Sequence, residues 1–404
     1  MDLRDTPAEA AFRRGLREWL GKTLPELPPP PDPGDWPGRR AYDTAWQRRL
    51  FDAGYAGVHW PAEAGGRGAT PVEHLIFLEE TERAGAPYVG ANFVGLLHAG
   101  PTIAAEGTPE QRRRYLPPIL SGEEIWCQGF SEPGAGSDLA ALRTRAVRDG
   151  DEYVVSGSKI WTSHAEVADW CELLVRTDPA APKHRGISWL VLPMDAPGVT
   201  VRPLRTLAGT TEFAELFLDD VRVPVANRIG EENDGWRVTM VTLSFERGTA
   251  FASEVVACRR TLGALARLAK QNGAWEDTAL RRRLGLLAGL FGALWRLVQW
   301  NVSEAMAAGA EGGGGGGGVP GAGASVFKLR FSEARQELYD LAAEVLGSGS
   351  LVLAAAGSGE DEWTAQRLQG LSYTIAAGTS QIQRTIVAQR VLGMPKQQKT
   401  AGGA

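Results

Sequence analysis

The spacing of apolar residues changes twice along this chain of 404 residues, and this pattern most constrains its fold. From about residue 7 to residue 120 apolar residues recur at helical spacing, as Phe12, Leu16 and Leu20 do. Between about residues 124 and 225 short runs rich in β-branched residues are bounded by turn residues. After residue 234 the helical spacing returns and continues almost to the C-terminus. The sequence therefore predicts an α+β multidomain protein with a helical, a β and a second helical domain.

These changes set the predicted domain boundaries. We expect an N-terminal helical domain over residues 1–121, a middle β-domain over 122–229 and a C-terminal four-helix-type bundle over 230–404. A proline-rich linker is predicted within the first domain, at 27–37. The strand candidates named in the second are 153–155, 171–175, 187–192 and 199–201. The helix candidates named in the third are 236–269, 278–308, 326–346 and 381–392.

Seven consecutive glycines occupy residues 312–318, inside the predicted bundle. A run of glycines does not favour a helix, because glycine loses more backbone entropy on folding than any other residue type. A phosphate-binding P-loop needs a Lys-Ser/Thr pair directly after its glycines, and the chain has none there. We therefore predict a flexible connection between two helices.

Composition excludes several function classes. The 43 basic and 48 acidic residues give a formal net charge of -5, which does not favour nucleic-acid binding. No apolar stretch is long enough to span a bilayer, and the N-terminus lacks a signal-peptide pattern. The three cysteines have no CxxC spacing and the five histidines fit no metal motif. We expect a protein of a reducing compartment, the cytoplasm, that has no metal site and binds neither nucleic acid nor membrane.

Four short stretches carry more specific information. They are a Trp-Pro…Gly-Gly turn at 59–66, the sequence CQGFSEPGAGSD at 127–138, GSKIWTS at 157–163, and IAAGTSQIQR at 375–384, which is extended by RVLG at 390–393. Together with the helical, β, helical order, these motifs resemble the acyl-CoA dehydrogenase family over nearly the whole chain. The resemblance implies FAD as the cofactor, an acyl-CoA as the substrate, and an electron-transfer flavoprotein or a similar electron acceptor.

Residues of three of these motifs suit a flavin. An isoalloxazine ring is flat and mostly apolar with a polar rim, so its site needs hydroxyls and backbone amides at the edge and an aromatic shield on one face. The resemblance implies that Gln128, Phe130 and Ser131 meet the pyrimidine side. It also implies that Trp161 covers the ring and that Ser163 approaches its reactive nitrogen. Two further positions match FAD contacts that come partly from a neighbouring subunit, Thr379 and Gln381.

The expected reaction is α,β-dehydrogenation of a thioester, in which a carboxylate removes the α-proton and a β-hydride passes to the flavin. Ala377 stands where many family members carry the glutamate base, although its backbone N–H would still serve as an oxyanion donor. Glu246 matches the alternative base position used by isovaleryl-CoA and long-chain dehydrogenases. Ser137 is expected near the thioester arm. Arg247 is a second candidate substrate contact, and would lower the pKa of Glu246 if the two paired.

Two departures from the family pattern leave alternatives open. Residues 270–277 lack the Arg-x-x-Phe-Gly signature that holds FAD pyrophosphate across a subunit interface, and the glycine-rich turn at 346–350 is altered. Such changes resemble bacterial dehydrogenases of steroid side-chain degradation, some of which are two-gene heterotetramers. A homotetramer and a heterotetramer with a second family member are both consistent with the sequence. A non-catalytic or half-site partner subunit, and a flavin oxidase or monooxygenase on the same fold, are the alternative functions.

Overall fold

The computed structural model describes residues 4–248, 251–310, 322–352 and 362–395. Helices form the first part of the chain, a β-sheet the middle, and helices again the last part, so the predicted α+β architecture is confirmed. The helices of the first part are α1 (Pro7–Thr23), α2 (Trp36–Asp52), α3 (Pro71–Ala84), α4 (Gly100–Glu106) and α5 (Pro109–Ser121). A π-helical turn, Gly95–Ala99, leads directly into α4.

A repeated sequence signal starts three of these helices. In α1 the Thr6 hydroxyl accepts a hydrogen bond from the Glu9 backbone N–H, and the Glu9 carboxylate accepts one from the Thr6 N–H. A proline at the first helical position fixes φ for the turn. The same reciprocal capping box starts α3 at Thr70 and α5 at Thr108. The helix starts of this domain are therefore encoded locally.

The linker predicted at 27–37 is two residues too long, because α2 begins at Trp36. The Asp35 carboxylate accepts a hydrogen bond from the Gly38 N–H at 3.0 Å. Pro37 then lies in the first turn of the helix, where a missing N–H costs nothing. The proline at the end of the supposed linker is thus part of a helix start.

The middle of the chain forms an eight-stranded sheet with the order β6-β7-β3-β2-β4-β5-β8, and β1 pairs with β4. The pairings of β1 and of β2 with β4 are parallel, and the others are antiparallel. The strands are β1 (Trp126–Gly129), β2 (Arg145–Asp149), β3 (Glu152–Ser163), β4 (Trp170–Arg176), β5 (Ile187–Pro193), β6 (Val199–Leu204), β7 (Phe213–Pro224) and β8 (Arg228–Ile229). All four strand candidates from the sequence lie within β3, β4, β5 and β6.

The last part of the chain is helical. Its elements are α6 (Gly235–Gly248), α7 (Ala252–Gln271), α8 (Thr278–Ala310), α9 (Ala322–Leu346), α10 (Glu362–Gly370) and α11 (Ser380–Ile386), followed by a π-helical turn, Val387–Val391. The run predicted as one helix at 236–269 is divided between α6 and α7. The glycine run at 312–318 lies outside the described residues.

The two faces of the sheet belong to different hydrophobic clusters. Trp126, Leu174 and Val191 pack with the core of the N-terminal helices. Cys127 and Leu173, their neighbours along the strands, belong to a cluster formed by the β-domain itself. Because successive side chains of a strand point to opposite faces, the central strands β4 and β5 are buried on both sides. None of the helices in the described ranges has the length and apolar content needed to cross a bilayer.

Candidate active site

The two β-domain motifs lie side by side in the structure. The Ile160 N–H donates to the Ser131 carbonyl at 2.9 Å. The Lys159 ammonium donates to the Phe130 carbonyl at 3.2 Å. Residues 128–131, which form the end of β1 and the turn after it, are therefore held against residues 159–163, which end β3. Most of the residues predicted to contact a flavin belong to these two segments.

A buried ion pair fixes this arrangement. The Glu132 carboxylate accepts hydrogen bonds from the Arg143 N–H at 2.7 Å, the Thr144 N–H at 2.8 Å and the Lys159 ammonium at 2.9 Å. Burial raises the pKa of Glu132, but the charge of Lys159 and the hydrogen bonds outweigh it, so its pKa lies below the ordinary value. The tight turn after Ser131 is therefore anchored by the charged group of Glu132, a residue of the 127–138 motif.

Trp161 has an unusual backbone and an exposed ring. Its φ is +62°, in the left-handed region, where the pairing of β3 with β7 shifts register. Its side chain is 58% exposed, although its edge contacts the ring of Phe213 with centroids 6.0 Å apart. Ser163, two residues further, is half-buried at the end of β3, and Ser131, whose carbonyl is bonded to Ile160, is half-buried as well. An exposed indole, with half-buried hydroxyls on the same two segments, fits the flat ring and polar rim of a flavin.

Gln128 is oriented by a buried polar cluster. Its Nε2 donates to the Glu172 carboxylate at 2.7 Å and lies 3.2 Å from Nδ1 of His98. Glu172 is its register partner on β4, and His98 comes from the π-helical turn of the N-terminal domain. Because a carboxylate accepts and cannot donate, the amide nitrogen faces this cluster and the amide oxygen faces away from it.

The segment with Ala377 is a strained turn before α11. Ala377 and Gly378 have φ values of +51° and +87°. The Gln383 side chain donates to the Ala377 carbonyl at 3.0 Å, and Lys328 donates to the Gly378 carbonyl at 2.6 Å. The N–H groups of residues 375 and 376 both donate to the Ser372 carbonyl, whereas that of Ala377 has no acceptor among the described residues. The turn thus leaves one amide N–H available.

Thr379 and Gln381 follow this turn. The Thr379 hydroxyl caps α11 by accepting a hydrogen bond from the Ile382 N–H at 3.2 Å. Gln381 is exposed. The buried Ser380 hydroxyl and the Oε1 of Gln383 have no hydrogen-bond partner in the described part of the chain. Unsatisfied polar atoms here are consistent with a ligand or second subunit that completes the site.

The structure describes the helical backbone of α6 at Glu246 and Arg247. Their side chains lie outside what it describes, so their predicted roles stay predictions. One turn earlier, Thr242 is buried and its hydroxyl accepts a hydrogen bond from Thr102 of α4 at 2.9 Å. Because residues four apart share a helix face, position 246 follows Thr242 on the side that faces the N-terminal domain.

Ser137 is exposed in the turn that precedes β2. The described hydrogen bonds of residues 375–381 run within the C-terminal domain. The described residues therefore bring the two β-domain motifs together, but they include no hydrogen bond that joins residues 375–381 to them.

Several site residues were missed by sequence reasoning. They are buried acidic, basic or polar residues, namely His98, Glu132, Lys159, Glu172, Lys328 and Gln383. A signal existed for Glu172, which interrupts the apolar strand 170–175. Buried ionisable groups need partners, so an acid in such a strand indicates a specific contact. The identity of the partner was not readable, because it depends on how distant segments pack.

Comparison with known proteins agrees with this geometry. Three family profiles match the chain, described as acyl-CoA dehydrogenase N-terminal domain over residues 6–123, middle domain over 127–221 and C-terminal domain over 233–392. The acyl-CoA dehydrogenase IpdE1 of Mycobacterium tuberculosis is 40% identical over 395 residues, which cover 96% of this chain and 98% of that protein.

Two solved structures are also similar at 33% identity. The structure described as the Tcur3481-Tcur3483 steroid ACAD gives a TM-score of 0.83 and covers 98% of this chain and 100% of that chain. The ChsE4-ChsE5 complex from Mycobacterium tuberculosis gives a TM-score of 0.79 with the same coverage. The chain therefore belongs to the acyl-CoA dehydrogenase family and is an oxidoreductase of that class. This family is generally FAD-dependent.

Proposed function

We propose that this protein removes the α- and β-hydrogens of an acyl-CoA thioester with FAD as the cofactor, and releases the trans-2-enoyl-CoA. The observation that carries the proposal is the turn at Ala377. The side chain there is not acidic, but the turn keeps an amide N–H without an acceptor among the described residues. The oxyanion donor is thus retained where the usual base is absent, which is the arrangement expected when the base lies on α6.

The residues that would hold FAD fit its chemistry. Gln128, Phe130 and Ser131 would meet the pyrimidine edge, Trp161 would cover one face and Ser163 would contact the rim. Gln128 presents an amide oxygen on the side away from Glu172, which would accept a hydrogen bond from a ring N–H. The remaining proposed contacts are Thr379 and Gln381 in the C-terminal domain. When bound, the flavin would supply the hydride acceptor.

The protein's own groups would move the proton. Glu246 would remove the α-proton while the Ala377 N–H donates to the thioester carbonyl, where negative charge develops. A Glu246 carboxylate that is partly withdrawn from water would have a raised pKa, which suits a general base. Ser137 and Arg247 would contact the CoA thioester arm.

We infer that the substrate carries a branched, long or bulky acyl group. A base on α6 and a base at residue 377 would approach the acyl group from different walls of its pocket. The wall that is left free for the acyl group therefore differs between the two arrangements. The similarity to the solved structure described as a steroid ACAD also supports a bulky acyl group. We further propose an electron-transfer flavoprotein or a similar protein as the electron acceptor.

A half-site role within a heteromeric enzyme is the second candidate, because the solved relatives are described as pairs of chains. Two polar side chains of the connection at 270–277, which lacks the family arginine, are engaged in hydrogen bonds within the C-terminal domain. Asn272 donates to the Val345 carbonyl at 2.8 Å, and the Asp277 carboxylate accepts from the Ala279 N–H at 2.7 Å. A chain with this connection would contribute differently to a FAD site shared with its neighbour.

Anaerobic titration of the flavin-loaded protein with straight, branched and steroid-type acyl-CoAs tests the proposal. We expect the flavin absorbance to bleach with the wild type and with Glu304→Gln, an exposed carboxylate of α8 that serves as the control. Glu246→Gln should lose at least about 1,000-fold in bleaching rate, because the α-proton has no acceptor. Equal bleaching by wild type and Glu246→Gln would remove Glu246 as the base. A purified chain that retains no flavin, but gains flavin and activity with a second family member, would support the half-site role.

A further inference from the structure

Lys328 is a buried cation that belongs to none of the family motifs singled out in the sequence. It lies on α9 with a side chain that is only 5% exposed. Its ammonium donates to the Tyr373 carbonyl at 3.0 Å and to the Gly378 carbonyl at 2.6 Å. Withdrawing an ammonium from water is costly, so a buried lysine with these contacts is expected to have a specific role.

The two carbonyls lie on either side of Ala377. One ammonium therefore joins the two ends of the segment 373–378. Within that segment the Gln383 side chain holds the Ala377 carbonyl, and an added Cβ on Gly378 would lie 2.8 Å from the same side chain. The two peptide groups that follow Ala377 are thus held from α11 and α9, and the Tyr373 carbonyl is held from α9 as well.

The start of the segment is also anchored. The Tyr373 hydroxyl donates to the Glu254 carboxylate of α7 at 3.1 Å. The Arg335 guanidinium of α9 lies 4.0 Å from the centre of the Tyr373 ring. These contacts hold the side chain of Tyr373, whereas Lys328 holds the backbone at both ends of the segment. The left-handed φ of Ala377 is a strained conformation that persists only when its surroundings impose it.

We propose that Lys328 is a positioning residue for the dehydrogenation, because it holds the turn that aims the Ala377 N–H at the thioester carbonyl. This inference rests on the proposed function. Lys328 touches neither substrate nor flavin in this role. It acts through the backbone, and its loss should weaken stabilisation of the enolate more than binding of the acyl-CoA.

The test compares Lys328→Met with Lys328→Arg and with Gln336→Leu. Methionine keeps the length and apolar stem but donates nothing, whereas arginine keeps the charge and donors. Gln336 is a matched control on the same helix, because its side chain also makes two hydrogen bonds to this connection, to the Gly370 carbonyl and the Thr374 hydroxyl, but none to residues 376–378.

Hydrogen–deuterium exchange of the peptide that contains residues 375–379 measures the anchoring directly and needs no activity. We expect Lys328→Met to speed this exchange by about tenfold and Gln336→Leu to leave it unchanged. Unchanged exchange in Lys328→Met would overturn the anchoring. If Lys328→Met does not fold, exchange is faster throughout the chain. Lys328→Arg then decides the question. A rise in exchange confined to residues 375–379 supports the anchoring, and no such rise overturns it.

The catalytic part is read with the acyl-CoA that bleaches the wild type best. We expect Lys328→Met to slow anaerobic bleaching by about 10- to 100-fold while the Kd for the acyl-CoA changes by less than about threefold, and Lys328→Arg to recover part of the rate. The isotope-edited infrared band of the bound enoyl-CoA carbonyl should rise in frequency in Lys328→Met only. A bleaching rate within about twofold of the wild type, or an equal loss in Gln336→Leu, would overturn the inference. A wild type that no acyl-CoA bleaches would overturn the proposed function, while the exchange result would still decide whether Lys328 holds the turn.

Discussion

Trp161 combines two properties that a tryptophan of the core does not have. Its ring is more than half exposed, and its backbone occupies the left-handed region, which costs a non-glycine residue about 1–3 kcal/mol. Exposure of a large ring contributes little to folding stability, so the contacts of the indole with described residues offset little of this strain. A planar ligand on the indole face would offset more of it.

We therefore expect Trp161→Ala to separate cofactor binding from stability. The free energy of unfolding of the apoprotein should change by no more than about 0.5 kcal/mol, since the side chain of Trp161 is largely exposed. Affinity for FAD should fall about tenfold, which is the loss expected from an aromatic contact worth about 1.4 kcal/mol. Urea denaturation and a flavin fluorescence titration measure the two quantities. Phe217, another exposed aromatic residue of the sheet, provides the control variant Phe217→Ala. Unchanged FAD affinity in Trp161→Ala would argue against a ring contact.

At the scale of elements, the sequence predicted what is encoded locally. Helical spacing located the helical regions and apolar runs located four strands, whereas the capping boxes that start three helices were recognised only in the structure. β7 was not among the named strands, because its alternation is broken at Asp220, whose φ is +49°. Leu216 and Leu218 are buried before this break, and Val221 and Val223 after it, so the buried positions change from even to odd numbers. Such a bulge depends on the pairing with β3.

The residues of the candidate site also fall into two groups, those within continuous sequence motifs and those defined by contacts between distant segments. The Ser131, Trp161 and Ala377 motifs were recognisable because each is a continuous stretch of sequence. The contacts of Lys328 and Glu132 were not predictable, because each one joins segments that are distant or fold back in a way that spacing does not encode. Physical reasoning from sequence therefore finds the groups that meet a ligand more readily than those that hold them in place.

The ion pair that links the β1 turn to β3 should make stability depend on pH. The folded-state pKa of Glu132 lies below its ordinary value of 4.5. A lowered carboxyl pKa contributes stability that is present above the unfolded value and is lost as pH falls through the folded one. We expect the free energy of unfolding to decrease below about pH 4.5. Glu132→Gln should cost about 3 kcal/mol at pH 7, because it leaves the Lys159 charge buried without its counterion.

Urea denaturation at pH 7 and at pH 3.5 measures this effect. The difference in the free energy of unfolding between wild type and Glu132→Gln should shrink at the lower pH, because pH 3.5 lies below the ordinary pKa of 4.5 and the unfolded chain then binds a proton at Glu132 more readily than the folded chain does. Glu152→Gln is the control, since its partner Arg222 is exposed and such surface pairs contribute about 0–1 kcal/mol. If the free energy of unfolding of wild type and of Glu132→Gln differed equally at both pH values, the prediction that the charge of Glu132 stabilises the fold would be wrong.

At the scale of the whole molecule, the site depends on contacts between domains. His98 of the N-terminal domain meets Gln128 and Glu172 of the sheet, and Thr102 meets Thr242 of α6. The predicted catalytic helix and the predicted flavin strand are therefore both held against the same segment, the π-helical turn and α4. A change in this segment would alter the position of the base and of the cofactor together.

The exposed face of α8 indicates a further contact, with another chain. Leu286 is 61% exposed and Trp300 is 53% exposed, and small residues lie between them on the same side, namely Gly289 and Ala293. Small residues allow close approach of a second helix, while the two large side chains would lose exposed apolar area. We expect a second copy of this chain to cover the face, and burial of each large side chain to contribute about 1.5–3 kcal/mol to association.

Carboxylates on this face should therefore weaken assembly. Leu286→Glu and Trp300→Glu would each place a charge in an apolar contact, where desolvation costs several kcal/mol, so the apparent mass should fall toward that of one chain. Light scattering after size-exclusion chromatography measures the mass, and sedimentation equilibrium measures the Kd of association. Val147→Glu on β2, where the side chain is similarly exposed at 56%, should leave the mass unchanged.

A wild type that elutes as one chain, or an equal fall in mass for Val147→Glu, would rule out self-assembly through α8. The face would then be available for a different family member, and co-expression with that chain would be expected to protect Trp300 from solvent quenching of its fluorescence.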